Sequence, residues 1–291
     1  MIMQPRSRSQ ISCANIERTK HDVYPFISPF SNLAGCANGK TVLVTGSSGG
    51  IGRAAAEYFA LAGAKVVVIT GRNETSLQQT KSAIQAEVPT CDVLDVLLDI
   101  TDESAVRGLF SKLPAVPDIL VNNAGVQKSP KSLVDSNTDD WWSDFEVNVK
   151  GLYLSSRAYL RALGGKSGVI VNPKLLLTRS LSSFTRSTMN KGTHCVAVHP
   201  GGIANTGMGI NAPPHYRNHL HDTVKLAAGT ILYLSTPRAG FLDGRFVFSN
   251  WDMEKLEAIQ EEITKQDLLK TRLGLAEGMK TDVVPPETSD D

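Results

Sequence analysis

Three observations predict a doubly wound α/β fold in three layers (α/β/α), with a parallel sheet of about seven strands in a single domain. Short apolar runs, continuous rather than alternating, recur along the chain, as strands buried on both faces of a parallel sheet require. Segments of helical periodicity separate them, so each pair forms a βαβ unit whose crossover is right-handed. Size agrees: 291 residues, 41% of them hydrophobic, can bury one large core, and neither an internal repeat nor a second core is visible.

Residues 1–37 form an N-terminal extension and arm in this reading. The first stretch carries Arg6, Arg8, Arg18 and Lys20 against Glu17 and lacks the apolar core of a secretory signal. A disordered extension is expected there, with an organelle transit peptide as the other reading. In "HDVYPFISPFSNLAGCANGK" (21–40), Pro25, Pro29, Gly35 and Gly39 argue for an irregular arm rather than a helix. The domain proper spans 38–275. Its expected strands are "TVLVTG" (41–46), "KVVVITG" (65–71), "DVLLDI" (95–100), "DILVNNAG" (118–125), "GVIVN" (168–172), "HCVAVHPGG" (194–202) and "GRFVFSN" (244–250). Helices are expected in "GRAAAEYFALAG" (52–63), "ESAVRGLFSKL" (103–113) and "WWSDFEVNVKGLYLSSRAYLRAL" (141–163), the last with Trp141 and Trp142 packing along its face. "MEKLEAIQEEITKQDLLKTRL" (253–273) has the pattern of one amphipathic helix, and 276–291 is an acidic, proline-containing tail expected to fray.

Charge and cysteine usage narrow the function. With 30 basic and 29 acidic side chains the net charge is +1, which gives no field to draw a polyanion or an anionic membrane. Nucleic acid and membrane are therefore not expected partners. Cys13, Cys36, Cys91 and Cys195 show no CxxC spacing, and Cys91 and Cys195 lie in apolar runs, so free thiols in a reducing compartment are expected. No apolar run approaches the roughly 18 residues of a membrane helix. A soluble, cytoplasmic protein with a small-molecule substrate follows.

The chemistry begins at "VLVTGSSGGIGRAA". Gly46, Gly50 and Gly52 stand where a strand turns into a helix, and glycines there let main-chain amides approach a pyrophosphate that the helix N-terminus also stabilises. A preceding strand and a following helix are the context that gives such a pattern meaning. About twenty residues on, a site for NAD places an acid against the ribose 2'-hydroxyl. Here the strand ends in Gly71 and Arg72. A guanidinium pairs with a 2'-phosphate and no carboxylate repels it, so NADP is expected over NAD, the alternative being an Arg72 that merely faces solvent.

Over roughly residues 38–275 these motifs resemble the short-chain dehydrogenase/reductase family, whose fold is Rossmann-like. "TGSSGGIG" is similar to its cofactor loop, which places Gly46, Ser47, Ser48, Gly50, Ile51 and Gly52 at the dinucleotide. The resemblance puts Asp99 of "LLDIT" on the adenine ring and Asn123, Ala124 and Gly125 of "NNAG" along the cofactor path. It matches Asn148 of "FEVNVKG" to the asparagine that organises the family's proton relay. "HPGGIANTGM" resembles the PGxxxT segment over the nicotinamide amide, with Ile203, Asn205 and Thr206, and opens a substrate lid near 205–224. The arm and the C-terminal segment resemble filamentous-fungal members, many of them similar to tailoring enzymes of secondary metabolism.

The family's chemistry implies hydride transfer between NADP and a carbonyl or alcohol carbon, with a tyrosine as proton donor, a lysine four residues later lowering its pKa, and a serine polarising the carbonyl. Here "GVIVN" is followed at once by "PKLLLTRSL", which resembles the middle of the next helix. Between Asn172 and Thr178 roughly twenty residues of the family pattern are absent, and they would carry the serine, tyrosine and lysine. Lys174 fits a solvated helix start after Pro173, Tyr153 with Arg157 a packing position, Ser187 and Lys191 the end of the shortened helix. His215, His219 and His221 of "HYRNHLH" read as lid histidines; a metal would need a further ligand. The sequence therefore implies an NADP-dependent oxidoreductase. The alternatives are a cofactor-binding but catalytically impaired variant or isoform, and a non-catalytic regulatory dinucleotide-binding module. A homo-oligomer, if formed, has an altered interface, because the helix after strand five is shorter by about two turns.

Overall fold

The computed structural model describes residues 17–128, 133–173, 192–213 and 217–270. Within them, seven strands form one all-parallel sheet in the order β3-β2-β1-β4-β5-β6-β7. Runs of Val, Ile and Thr build it, since branched side chains pack well on a pleated, buried surface. The strands are β1 (Thr41–Thr45), β2 (Val66–Gly71), β3 (Asp92–Leu97), β4 (Ile119–Val121), β5 (Gly168–Asn172), β6 (Thr193–His199) and β7 (Phe246–Phe248). The chain starts at the centre, winds outward to β3, then crosses to β4 and winds the other way. That reversal between β1 and β4 leaves a crevice beyond the strand ends, the usual ligand position in such sheets.

Alternation along each strand feeds two cores. Val42 and Val44 of β1 face one helical layer, built from α1 (Gly50–Leu61), α2 (Glu74–Glu87) and α7 (Val224–Leu234). Leu43 faces the other, built from α3 (Glu103–Lys112) and α5 (Leu152–Leu163), where Val106, Leu109, Leu154 and Tyr159 are buried. The arm belongs to the first core: Phe26, Ile27 and Leu33 are buried there, and Gly229 of α7 lies so close that a Cβ would stand 2.6 Å from the Ile27 carbonyl.

Three elements differ from the sequence reading. β3 begins at Asp92 rather than residue 95, pairing from Val66↔Asp92 to Gly71↔Leu97. It is an edge strand with Asp92 and Leu97 exposed, so the rule of continuous apolar runs fails there. Leu98 and Ile100 leave the ladder to fill the second core, which turns Asp99 towards the crevice. The helix expected over 141–163 is divided into α4 (Thr138–Phe145), a π-helical turn (Glu146–Gly151) and α5. Trp141 and Trp142 cluster with Phe145, 4.5 Å and 6.3 Å between ring centroids, yet both stay substantially exposed. The C-terminal helix is two short ones, α8 (Met253–Ala258) and α9 (Gln260–Lys265), parted at Ile259. The chain then reverses at Asp267 and Leu269, both with positive φ, so that Leu268 returns to the core. Buried Arg245 fixes the reversal by donating to the Asp267 carboxylate and the Leu268 carbonyl. Tail residues 276–291 and the first sixteen residues lie outside the described residues, as do Lys174, Ser187, Lys191 and His215.

Candidate functional site

The crevice holds a cavity of about 580 Å³, within the range of small-molecule and cofactor sites. Its floor is the β1–α1 turn. Gly46 has φ +67° and packs so tightly on β4's exit that a Cβ would stand 2.6 Å from the Ala124 Cα. Only glycine meets both demands. Helices α2, α3 and α4 are capped by the side chains of Asn73, Asp102 and Asn137. At α1 the N-cap is Gly49, which has no side chain to offer, and Gly49, Gly50 and Ile51 line the cavity. The first-turn N–H groups of a twelve-residue helix are thus left for an anion, which the helix dipole favours.

One wall is the end of β2. A side chain at Gly71 would displace the Ser48 hydroxyl, and Arg72 follows directly. Ser48, Arg72 and Asp99 all line the cavity. Asp99 Oδ1 accepts from the Thr101 amide (2.9 Å) and hydroxyl (2.7 Å). Those hydrogen bonds, with help from the Arg72 charge, hold its carboxyl below the usual range, so it is ionised near neutrality.

The opposite wall is β4's exit. Asn123, Ala124 and Gly125 line it, and the Asn123 amide braces the glycine turn by donating to the carbonyls of Thr45 (3.0 Å) and Gly46 (2.9 Å). Asn148, in the π-helical turn, clamps Val126 from both sides: its Nδ2 donates to the Val126 carbonyl (2.7 Å) and its Oδ1 accepts the Val126 N–H (3.1 Å). The asparagine holds this wall in place rather than presenting its amide to the cavity. Asn205 and Thr206 supply the roof, the latter capping α6 (Gly207–Ile210) through Gly209.

Of the residues the sequence singled out for the dinucleotide, Gly46, Ser48, Gly50, Ile51, Arg72, Asp99, Asn123, Ala124, Gly125, Asn205 and Thr206 line one cavity. Ser47, Gly52 and Ile203 stand behind it. The Ser47 hydroxyl is buried, donating to the Val44 carbonyl and accepting from Thr70, so it joins β1 to β2. Gly52 lies against the Asn123 amide, and Ile203 pairs with His221. Sequence reasoning missed the far end, where Gln127, Lys128, Met208 and Ile210 reach the cavity. Their signal was position alone, just after "NNAG" and just after Thr206.

Among the described residues no tyrosine or histidine lines this cavity. Tyr153 is exposed on α5, its ring 5.8 Å from the Arg157 guanidinium, which pairs with Glu103. His219 and His221 do not line the cavity either. Among the described residues no group of three His, Cys, Asp or Glu could hold a metal. None of the six tyrosines in the chain is followed four residues later by a lysine. β5 ends at Asn172 and β6 begins at Thr193, and 174–191 lie outside the described residues.

A family model described as short chain dehydrogenase matches residues 40–174. The short chain dehydrogenases mpl6 of Monascus purpureus and citE of Monascus ruber are each 34% identical to this chain, over 89% of it and 96% of their own length. Another, pigC of Monascus ruber, is 32% identical over 87% and 91%. Among solved structures, the citronellol catabolism dehydrogenase AtuB of Pseudomonas aeruginosa is similar with a TM-score of 0.64 at 26% identity, over 74% of this chain and 95% of that one. A short chain dehydrogenase from Shigella flexneri complexed with NADP shares the fold, with a TM-score of 0.67 at 23% identity over 74% and 98%. No helix among the described residues is long and apolar enough to cross a membrane.

Proposed function

The chain belongs to the short-chain dehydrogenase family, and from that premise we propose that it is an NADP-dependent oxidoreductase acting on a carbonyl or alcohol of a small molecule, of the kind tailored in fungal secondary metabolism. The observation that carries the cofactor preference is the end of β2, where Gly71 leaves no acid and Arg72 lines the cavity. NADP, when bound, supplies or accepts the hydride.

The chain's own residues would hold it as follows. The bare N-terminus of α1, at Gly49, Gly50 and Ile51, receives the pyrophosphate. Arg72 pairs with the 2'-phosphate, and ionised Asp99 accepts from the adenine amino group. Asn123, Ala124 and Gly125 form the path to the nicotinamide, while Asn205 and Thr206 cover its amide. Asn148 keeps Val126 fixed beside the reacting end. The substrate lies towards Gln127, Met208 and Ile210, under the lid near 205–224.

A second reading is favoured by one sequence fact, the lack of any tyrosine with a lysine four residues on. Without that acid and base, hydride transfer loses about 10² to 10⁴ in rate. The chain would then bind NADP and turn over poorly.

Titration with NADPH and NADH, followed by a panel of carbonyl compounds, tests both readings. NADPH is expected to bind more tightly than NADH, and Arg72→Ala to weaken NADPH by roughly 10- to 100-fold while sparing NADH. Equal affinity for the two cofactors would overturn the NADP assignment. Turnover supports the first reading, and binding without turnover the second. Retention of a protein partner only when NADP is present would instead favour a regulatory module.

A further inference from the structure

The roof of the cavity, Asn205 to Asn211, is part of a segment whose two ends meet at a narrow neck. The Gly202 N–H donates to Asp222 Oδ2 (2.6 Å), the Asp222 N–H donates to the Gly202 carbonyl (2.9 Å), and Ile203 bridges to His221. Gly201, at φ +98°, leaves the room for this: a Cβ there would stand 2.5 Å from Asp222 Oδ2. The Asp222 side chain is 7% exposed, and its other oxygen is held from two distant places. His21 Nδ1 of the arm lies 2.7 Å from Oδ1, and Asn250 Nδ2, just after β7, donates to the same atom at 2.8 Å. A carboxylate only accepts, so His21 bears a proton on Nδ1.

The surrounding contacts keep His21 in register. The His21 carbonyl accepts from the Thr223 N–H, and the Asp22 carboxylate accepts from the Thr223 hydroxyl, which caps α7 through Leu226. Asn250 Nδ2 also donates to the Lys20 carbonyl. The roof itself sits on the glycine turn, with the Thr206 methyl 3.5 Å from where a Gly50 Cβ would be. A shift at the neck is therefore felt at the cavity.

We infer that His21 is a positioning residue for the dinucleotide site, acting through Asp222 to fix where Asn205 and Thr206 stand against the cavity. The inference rests on reading that cavity as the NADP site. His21 is separable from the arm's packing role. Its side chain is 58% exposed, whereas Phe26, Ile27 and Leu33 carry the arm's burial and the Tyr24 hydroxyl is tied to the Met253 amide. Removing the imidazole takes one of three donors from Asp222 and leaves the arm docked.

The test compares the full chain with His21→Ala and His21→Asn, whose amide nitrogen can donate from nearly the place of Nδ1. Three readouts are taken: NADPH affinity by fluorescence titration, hydrogen exchange of the Gly202 and Asp222 amides without cofactor, and the melting temperature. His21→Ala is expected to weaken NADPH by about 5- to 20-fold and to speed exchange at both amides, with Tm within about 2 °C of the parent. His21→Asn is expected to restore affinity to within roughly twofold. Unchanged affinity in His21→Ala, or a loss that His21→Asn does not rescue, overturns the inference. Should the parent chain bind no NADPH, the cofactor reading fails by itself and exchange decides the rest: faster exchange rescued by His21→Asn supports the anchor, and unchanged exchange removes it.

Discussion

The exits of β1 and β5 lie in the same sheet, and their polar groups face opposite ways. Where β1 ends, the chain turns through Gly46 into a helix whose first N–H groups have no side-chain cap, with Arg72 and Asp99 beside them on the cavity. Where β5 ends, Asn172 is 2% exposed and spent on its neighbours. Its Oδ1 accepts from Asn122 Nδ2 (3.0 Å), and its Nδ2 lies 3.5 Å from Cys195 Sγ. Asn122 in turn donates to the Ser156 hydroxyl and accepts from that of Ser155, so one buried polar network joins β4, α5, β5 and β6. The first exit leaves donors for a ligand, at a cost in uncapped backbone. The second satisfies every partner internally and holds the sheet together.

Substitutions can break or sharpen that contrast. The largest effect is expected from Gly46→Val, which forces a branched residue to positive φ against the Ala124 backbone. It should cost about 3 kcal/mol or more in chemical denaturation and abolish measurable NADPH binding. Gly71→Asp adds a carboxylate beside the 2'-phosphate position and makes the Ser48 hydroxyl rotate away. NADPH affinity should fall by roughly 10- to 100-fold in a fluorescence titration, with little change in the unfolding midpoint. At the other exit, Asn172→Ala should behave in the opposite sense: about 1–3 kcal/mol of stability lost through the one Asn122 N–H left without its acceptor, with NADPH affinity within about twofold of the parent. A large affinity loss in Asn172→Ala would erase the distinction between the two exits. The smallest effect is expected from Asn148→Ala, about 1 kcal/mol of stability and a few-fold loss of NADPH affinity as Val126 is released.

The sheet was legible because its strands are dense in Val and Ile and its turns carry glycine. The cofactor turn was legible because "TGSSGGIG" follows a strand and precedes a helix. A motif gives positions but not directions, however. Ser47 and Ser48 are adjacent in the same motif, yet one hydroxyl is turned into β1 and β2 and the other into the cavity. The π-helical turn at Glu146–Gly151 was hidden, since one inserted residue barely disturbs helical periodicity. The reversal after α9 was hidden for a different reason: it is fixed by Arg245 gripping Asp267 and Leu268, contacts about twenty residues apart along the chain. The role of His21 depends on a partner 201 positions away, which no local pattern contains. Conversely, the lack of a YxxxK pair is visible only in the sequence, because 174–191 lie outside the described residues.

The arm also sets a timetable. It is the first described segment to leave the ribosome, but several of its partners are made late: Gly229 for Ile27, Asn250 for Lys20, and Met253 for Tyr24. The strands from β1 to β4 can begin to associate as they emerge, while Phe26 and Ile27 wait for α7 with apolar surface uncovered. Synthesis of nearly the whole described chain therefore precedes the closing of its first core. A nascent chain arrested before residue 224 would expose that surface to chaperones, and one arrested well beyond residue 253 would not.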